Sequence, residues 1–486
     1  MEQSRNLAVL SGIFVVLTAS ISFVLGESRP ASAQTCPDPP VVTIMSPQVP
    51  ADVCIPATFQ QNPIDFFDDY SWRAFIAMIW PAQQGRRGVP DSSQRPGSVP
   101  NGPLVFETLK ADWEIFNGNP PVLGKFDDFV GPNPCGLSTV GINDLVLGAF
   151  STSKFGIAGN LGQAGPGILV GELVAQNGTY VRYSTGFNQT EYEDIQNKSR
   201  FFKNQQMNAP PMPVGSLDVK AAWMVMTGVA NPGRYYTRTA HILNPTTMKC
   251  EDLLVGLVGL HIVQKTQTRP QWIWSTFEQI DNVPPPHGVP MAFNDGTGMP
   301  MPTADPVSTF PPPPSSPPFN VVRVLPIHDN TQATNAKYQS ALAGTVWQNY
   351  QLVMTQWPVP QSPFAATPVD PTQDGTRPNT FPGVINPPTT AFANAVMETF
   401  EQDATQGKTC MECHTKVQFR TDFVWALRAN GLDPVQPGPA MLLLQRISPD
   451  ALQTNARRTI SIPELVDLQN YLKTKVRPTP SRPPAR

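Results

Sequence analysis

Charge is scarce in this chain. Only 15% of its 486 residues are charged and the net charge is -3, so there is no basic field of the kind that grips a phosphate backbone. Nucleic acid is not an expected partner. Long hydrophobic runs are scarcer still: a single one, Leu7 to Leu25, is long enough to cross a bilayer, which argues against a multi-span membrane protein. The 34 glycines have no period of three, so a collagen-like helix is excluded. Histidine is rare, with five residues, and cysteine numbers six. Proline is what the chain has in excess: its 56 residues, added to the glycines, disfavour a helical bundle. At 40% hydrophobic, a chain of this length can bury one large core or two smaller ones.

The apolar run follows a short segment bearing Arg5 and precedes Ala31-Ser32-Ala33, the small-x-small pattern that a signal peptidase accepts. Residues 1–33 are expected to be a cleaved secretory signal, which places the mature chain in the periplasm or outside the cell. The rival reading is a retained anchor, and a membrane is an expected partner only if that segment stays uncleaved. Cys36 does not sit in a lipobox, because Thr35 precedes it and Ala33 lies at the third position before it.

In an oxidising compartment the four scattered cysteines are expected to form two structural disulfides. Cys36 with Cys54 closes a short loop near the mature N-terminus. Cys135 with Cys250 staples distant parts of the main domain. None of the four has a second ligand at metal-site spacing.

The remaining two stand in Cys410-Met411-Glu412-Cys413-His414, the C-x-x-C-H pattern of covalent haem c. Two thiols must reach two vinyl groups on one edge of the porphyrin, and the next side chain must swing beneath the plane to ligate iron. A chance match is improbable at this cysteine and histidine content. The bland alternative, a disulfide-forming Cys-x-x-Cys beside an incidental histidine, needs a thioredoxin-like context that the flanks lack. Cys410 and Cys413 are thus the expected thioether residues and His414 the proximal iron ligand.

The flanks read as helices. Thr389 to Ala404 places Phe392, Val396 and Phe400 on one face, ending before Gly407. Ser461-Ile462-Pro463-Glu464 has the form of a capping box, followed by an apolar stripe of Leu465, Leu468, Tyr471 and Leu472. Two helices bracketing the motif resemble the class I cytochrome c plan, in which an aromatic such as Tyr471 packs where the helices cross. That resemblance implies a distal methionine in a Pro/Gly-bearing loop. Met441, after Pro437-Gly438-Pro439, is the only methionine downstream of His414. His261, in an apolar strand-like setting, is the competing distal ligand, with His241, His287 and His328 behind it. Both Met441 and His261 also have plain readings as core residues.

Between about residues 60 and 355 the pattern is mostly period two. Leu217 to Met226, Tyr235 to Leu243, Leu253 to Val263 and Gln271 to Phe277 read as strands of an antiparallel meander. Gly167 to Val174 and Thr179 to Tyr183 are joined through Asn177-Gly178, a strong hairpin signal. Pro63 to Ile79 and Glu191 to Asn204 read as helices. The expected fold class is α+β: a large, mainly antiparallel β domain (sandwich or barrel) plus a small α-helical cytochrome c-like haem module. The expected boundaries are a β-rich domain at 34–355 with a proline-rich excursion at 283–318, a proline-rich linker at 356–388, the haem domain at 389–476, and a basic, proline-rich tail at 477–486.

The order of Trp72-Arg73-Ala74-Phe75, Val219-Lys220-Ala221-Ala222-Trp223, Gly256 to Thr266 and Trp272 to Pro284 resembles a family of bacterial exported single-haem cytochrome c-like proteins. The likeness spans most of the mature chain. It implies a large β-rich domain followed by a C-terminal haem module, and it brings no firmly assigned reaction. In that family many chains end soon after a segment like Asp422 to Leu427, whereas this one continues to Arg486. Relatives without the Met441 region need another distal ligand, which favours His261.

Electron transfer between redox partner proteins is the expected function, with one covalent haem c as cofactor. A haem enzyme, peroxidase or oxygenase, with an open distal site and a substrate pocket in the β domain is the alternative, as is a haem-based sensor or binding module. No catalytic residue is assigned: Glu278, Asp281 and His287 as an acid-base set, or Lys220, Lys265 and Arg269 as an anion site, have no compelling spacing. Trp272 and Trp274, two apart, are expected to be core residues, with a haem-edge contact as the sharper reading.

Overall fold

The computed structural model describes residues 45–56, 63–99, 102–147, 173–206, 209–244, 247, 249–283, 291–297, 318, 320–357, 393–402, 410, 414 and 421–434. The strands are β1 (Lys110–Ala111), β2 (Leu145–Leu147), β3 (Arg182–Phe187), β4 (Leu217–Val225), β5 (Thr237–Leu243), β6 (Cys250–Gln264), β7 (Ile273–Gln279) and β8 (Tyr350–Gln356). The α-helices among the described residues are α1 (Ile64–Met78), α2 (Asp112–Ile115), α3 (Gln189–Asn197), α4 (Lys203–Gln206), α5 (Asp329–Ala341) and α6 (Trp425–Asn430). None is long and apolar enough to cross a membrane.

The eight strands among the described residues join one curled, mixed sheet that forms a half-barrel. Its backbone is the long strand β6. One edge of β6 pairs with β4; the other pairs with β5 along Cys250 to Gly256 and with β7 along Gly259 to Gln264. β3 and β1 extend the sheet beyond β4, β8 extends it beyond β7, and β2 adds to β5 in parallel. The large β domain is therefore present. The expected meander is corrected: β6 lies between β4 and β5, so those two consecutive strands are not neighbours. The central position suits β6, whose buried run from Val255 to Leu260 has no polar residue to place at an edge.

The two faces of the sheet are covered differently. Alternation sends Val219, Ala221, Leu260, Ile262, Phe277 and Leu352 to one face, where Trp72 and Phe75 of α1 pack on them. α5 lies alongside, with Trp72 Nε1 donating to Asn335 Oδ1 at 2.9 Å and the Trp72 and Tyr338 rings stacked at 5.2 Å. The opposite face carries register rows running across the strands. Phe187, Asp218, Val263, Trp274 and Gln356 form one row, and Thr185, Lys220, His261, Thr276 and Met354 the next. Beyond them Tyr183, Ala222 and Gly259 align with Glu278.

Onto that second face the C-terminal segment descends. Val396, Met397 and Phe400 share a hydrophobic cluster with Tyr183, Ala222, Met224 and Val258. Gly259 is the point of closest approach: a Cβ there would stand 2.9 Å from a Val396 methyl and 3.1 Å from Met397. Further along, Phe423, Val424 and Leu427 join Trp272, Trp274, Val263, Phe187 and Tyr192, with Cys410 packed at the margin.

Several expectations meet the structure directly. Cys135 and Cys250 are disulfide-bonded, with Cα atoms 5.5 Å apart. Cys54 is also in a disulfide, while Cys36 lies outside the described residues. The Asn177-Gly178 turn forms a tight hairpin: Ala175 N donates to Thr179 O, and Gly178 takes φ 77°. The helix expected at Pro63 to Ile79 is α1. That expected over Glu191 to Asn204 starts earlier, capped by the Asn188 side chain on Glu191 N, and ends at Asn197, with Ser199 at φ 51° separating it from α4.

The helix expected over Thr389 to Ala404 is not seen in its described part, which is turns and a short 3-10 segment at Thr399–Glu401. The reason is competition for its N–H groups. Ala395 N donates to a Glu278 carboxylate oxygen and Val396 N to Asn394 Oδ1, while the Asn394 amide reaches Thr276 Oγ1 and Phe277 O. Residues 1–33, Cys413, Met441, Tyr471 with its expected helix, the tail, and most of 283–318 and 356–388 lie outside the described residues. Gln356, placed in the linker by the sequence, is the last residue of β8.

Candidate haem-binding site

Cys410 and His414 both have α-helical backbone and are half-buried. The imidazole of His414 meets Trp274 and Phe423. Its ring centroid lies 4.2 Å from that of Trp274, with the planes at 60°, and its Nδ1 lies 2.6 Å from the backbone oxygen of Phe423. A carbonyl can only accept, so Nδ1 is protonated and donates this bond; in the neutral ring the lone pair is then on Nε2. This is the tautomer a metal-ligating histidine needs, with the second nitrogen oriented by a hydrogen bond.

The acceptor is held by unusual backbone. Asp422 and Phe423 have φ of 49° and 73°, left-handed values that are costly for residues with a side chain. Both are pinned. The Phe423 ring is fully buried. The Asp422 carboxylate accepts from Lys265 Nζ at 2.7 Å and from Met212 N at 2.8 Å. Lys265 also donates to Pro270 O at 2.8 Å, and burial pulls its ammonium below the usual lysine range.

Around this point the interior is polar in places. Glu191 is fully buried and neither carboxylate oxygen has a hydrogen-bond partner. Burial, together with nearby Asp218 and Asp422, raises its carboxyl well above the ordinary range. Trp272 Nε1 and the side-chain amides of Gln271 and Gln356 are likewise buried without partners. Gln356 sits opposite Trp274 in the register, and the indole of Trp274 donates to Gln271 O at 3.2 Å.

The donor set fits a covalent haem. The Nδ1 proton of His414 is engaged by a backbone oxygen, as in a histidine that ligates through Nε2, and Cys410 stands in a largely apolar cluster beside aromatic rings. The orphaned N–H groups of Trp272, Gln271 and Gln356 are donors that a porphyrin's carboxylates can satisfy. Among the described residues, no group of three or more His, Cys, Asp or Glu side chains offers a rival metal cage.

His261 lies on the same sheet face as Trp274, one register row away. Its Nε2 stands 3.1 Å from Glu398 Oε1, so the side chain already has a partner from the C-terminal segment. His241, on β5, meets Asp144 and Asp252, and His328 caps α5. The other constellations considered from sequence are not assembled. Glu278 pairs with Arg323 and Asp281 with Arg234. Lys265 is occupied by Asp422, and Arg269 lies over the Phe67 ring. His287 lies outside the described residues.

Sequence reasoning missed the Phe423 carbonyl and the Lys265–Asp422 pair. A backbone acceptor has no side-chain signature, and the two charged residues are separated by 157 positions. The chain matches no protein-family model, no curated protein and no solved structure.

Proposed function

We propose that the chain is an exported c-type cytochrome of the single-haem, β-rich kind, with Cys410 and Cys413 as the thioether residues and His414 as the proximal ligand, passing electrons between redox partner proteins. The observation that supports this reading is the bond from His414 Nδ1 to the Phe423 carbonyl within the C-x-x-C-H segment, because a histidine that ligates iron through Nε2 has its Nδ1 proton held by such an acceptor. When bound, haem c supplies a one-electron Fe(III)/Fe(II) couple. The chain's own residues orient the imidazole through Phe423 and wall one side of it with Trp274. They also keep bulk water out of an interior built from Phe187, Tyr192, Phe423 and Leu427.

Met441 and His261 are the distal candidates. Ligation by His261 requires it to exchange Glu398 for iron, a local change on a face that the C-terminal segment already covers. The Cys135–Cys250 disulfide supports placement in the periplasm or outside the cell, where such bonds persist.

The reading is tested by denaturing the reduced protein. Haem retained through electrophoresis, with the pyridine haemochrome band of a two-thioether haem, is the expected result, and loss of attachment is expected in Cys410→Ala and Cys413→Ala. Release of the haem as free haem b overturns it. A high-spin iron that binds peroxide or cyanide rapidly in the unmodified protein turns the assignment from electron carrier to haem enzyme.

A further inference from the structure

We infer that Lys265 and Asp422 are positioning residues for His414: their buried ion pair clamps the left-handed Asp422–Phe423 turn so that the Phe423 carbonyl takes the Nδ1 proton in a hydrogen bond. The inference rests on the haem reading and names what sets the strength of its proximal ligand.

Left-handed backbone is costly for non-glycine residues, and here two stand in succession. Such a turn persists only where its surroundings over-determine it. Here they do so from both sides. The Asp422 carboxylate is tied to Lys265 Nζ and Met212 N, and the Phe423 ring is sealed in the aromatic cluster. Val424 N closes the turn on Thr421 O at 3.1 Å. Lys265 follows directly after the last residue of β6, so the clamp is fixed to the sheet and not to the C-terminal segment itself. Its ammonium is further fixed by Pro270 O and lies 5.8 Å above the Trp272 ring. Met212 and Lys265 belong to the segments flanking β4 and β6, which are joined by Gly215 N donating to Lys265 O at 2.8 Å. The geometry of the imidazole thus depends on the sheet through a carboxylate, a turn and a carbonyl.

The consequence is electronic. A carbonyl that accepts from Nδ1–H makes the imidazole a stronger electron donor at Nε2 and favours the more highly charged iron. Releasing the turn weakens that bond, and the potential rises. The release is expected to change the Fe(II)/Fe(III) ratio at fixed ambient potential about tenfold, a shift of about 59 mV for one electron.

The test uses the full chain. Asp422→Asn and Lys265→Met are each expected to raise the potential by that amount with the thioether haem still attached, and Lys265→Arg to restore most of the shift. A single change strands a buried charge and can lower the yield. The double variant Lys265→Met with Asp422→Asn removes both charges and reports the same release. In the full chain carrying Cys410→Ala and Cys413→Ala, nitrogen NMR of His414 reads the clamp without haem. The Nδ1–H tautomer is expected to dominate, and to lose that dominance when Asp422→Asn is added. An unchanged potential in variants that retain thioether haem, or an unchanged tautomer, overturns the clamp. Absence of thioether haem from the unmodified protein overturns the haem reading instead, whatever the tautomer shows.

Discussion

The imidazole of His414 packs 4.2 Å from the indole of Trp274, centroid to centroid, at an interplanar angle of 60°. Trp274 belongs to β7, in the middle of the sheet's covered face, opposite Val263 on one side and Gln356 on the other. Trp274 therefore joins the C-x-x-C-H segment to the β domain. Its indole also donates to Gln271 O, so the ring is fixed at both its polar and its apolar edge.

Trp274→Ala is expected to destabilise the protein by about 3 to 5 kcal/mol, the range for truncating a buried Trp. Trp274→Phe keeps an aromatic wall but loses the bond to Gln271 O, and about 1 kcal/mol is expected. Denaturant titration measures both. A loss below 1 kcal/mol for the alanine variant would mean that the packing against His414 contributes nothing to the fold.

The distal ligand separates two optical outcomes. With Met441 bound, the oxidised protein shows a weak sulfur-to-iron charge-transfer band in the far red, and Met441→Ala removes it while the thioether links remain. With His261 bound, the band is absent from the start, Met441→Ala changes little, and His261→Ala turns the iron high-spin. Glu398→Gln adds a second reading, because Glu398 holds His261 Nε2. It is expected to tighten His261 ligation by weakening the competitor, and to leave a methionine-ligated spectrum unchanged.

The strands β4 to β7 could be read from the sequence because each combines β-branched and aromatic residues with turn punctuation. Their order could not be read, because it is set by β6 being long enough to pair with two strands along one edge. α5 escaped because it has no apolar stripe: Thr331, Asn335 and Tyr338 are buried through hydrogen bonds and ring stacking. The opposite error arose at Val396 and Phe400, whose helical spacing is real but lies in a segment where the N–H of Ala395 is taken by Glu278 and that of Val396 by Asn394. For the site, C-x-x-C-H fixes residue types by covalent chemistry and is visible in any single sequence. The acceptor for His414 is a main-chain atom whose position depends on Lys265 and Asp422, far apart in the chain.

Arg87 and Glu114 form a two-bond pair, at 2.8 and 2.7 Å, with both side chains only 2% exposed. Lys110 Nζ is 3.4 Å from the same carboxylate, and the guanidinium lies 3.6 Å above the Phe129 ring. The group anchors the connection before β1 to the loop beyond α2. Arg87→Met leaves Glu114 with one cation, and about 3 to 5 kcal/mol of stability is expected to go, as when one partner of a buried pair is removed. Arg87→Lys cannot reproduce the planar fork and is expected to fall between. Denaturant midpoints at constant slope report the change; an Arg87→Met protein as stable as the parent would contradict it.

Asp68 gives stability a pH dependence of predictable sign. It sits on α1, 1% exposed, and accepts from Thr331 Oγ1 at 2.6 Å and Thr355 Oγ1 at 2.8 Å. Burial is the largest influence and outweighs those two bonds, with Asp65 and Asp69 adding repulsion, so its carboxyl is pushed up to about 7. An unfolded aspartate titrates near 3.9. Between about pH 4 and pH 7 the native state therefore holds a proton that the unfolded chain has lost, and stability falls as pH rises through that window. At 1.36 kcal/mol per unit, the full span is at most about 4 kcal/mol. Asp112, also raised to about 7 by burial, acts in the same direction. Asp68→Asn removes the titration, so its unfolding midpoint is expected to change less between pH 4.5 and 7.5 than that of the parent, and the variant is expected to gain relative stability toward pH 7.5. Parallel pH profiles for the two proteins would show that Asp68 is ionised in the native state at low pH, and that its two threonine partners outweigh its burial.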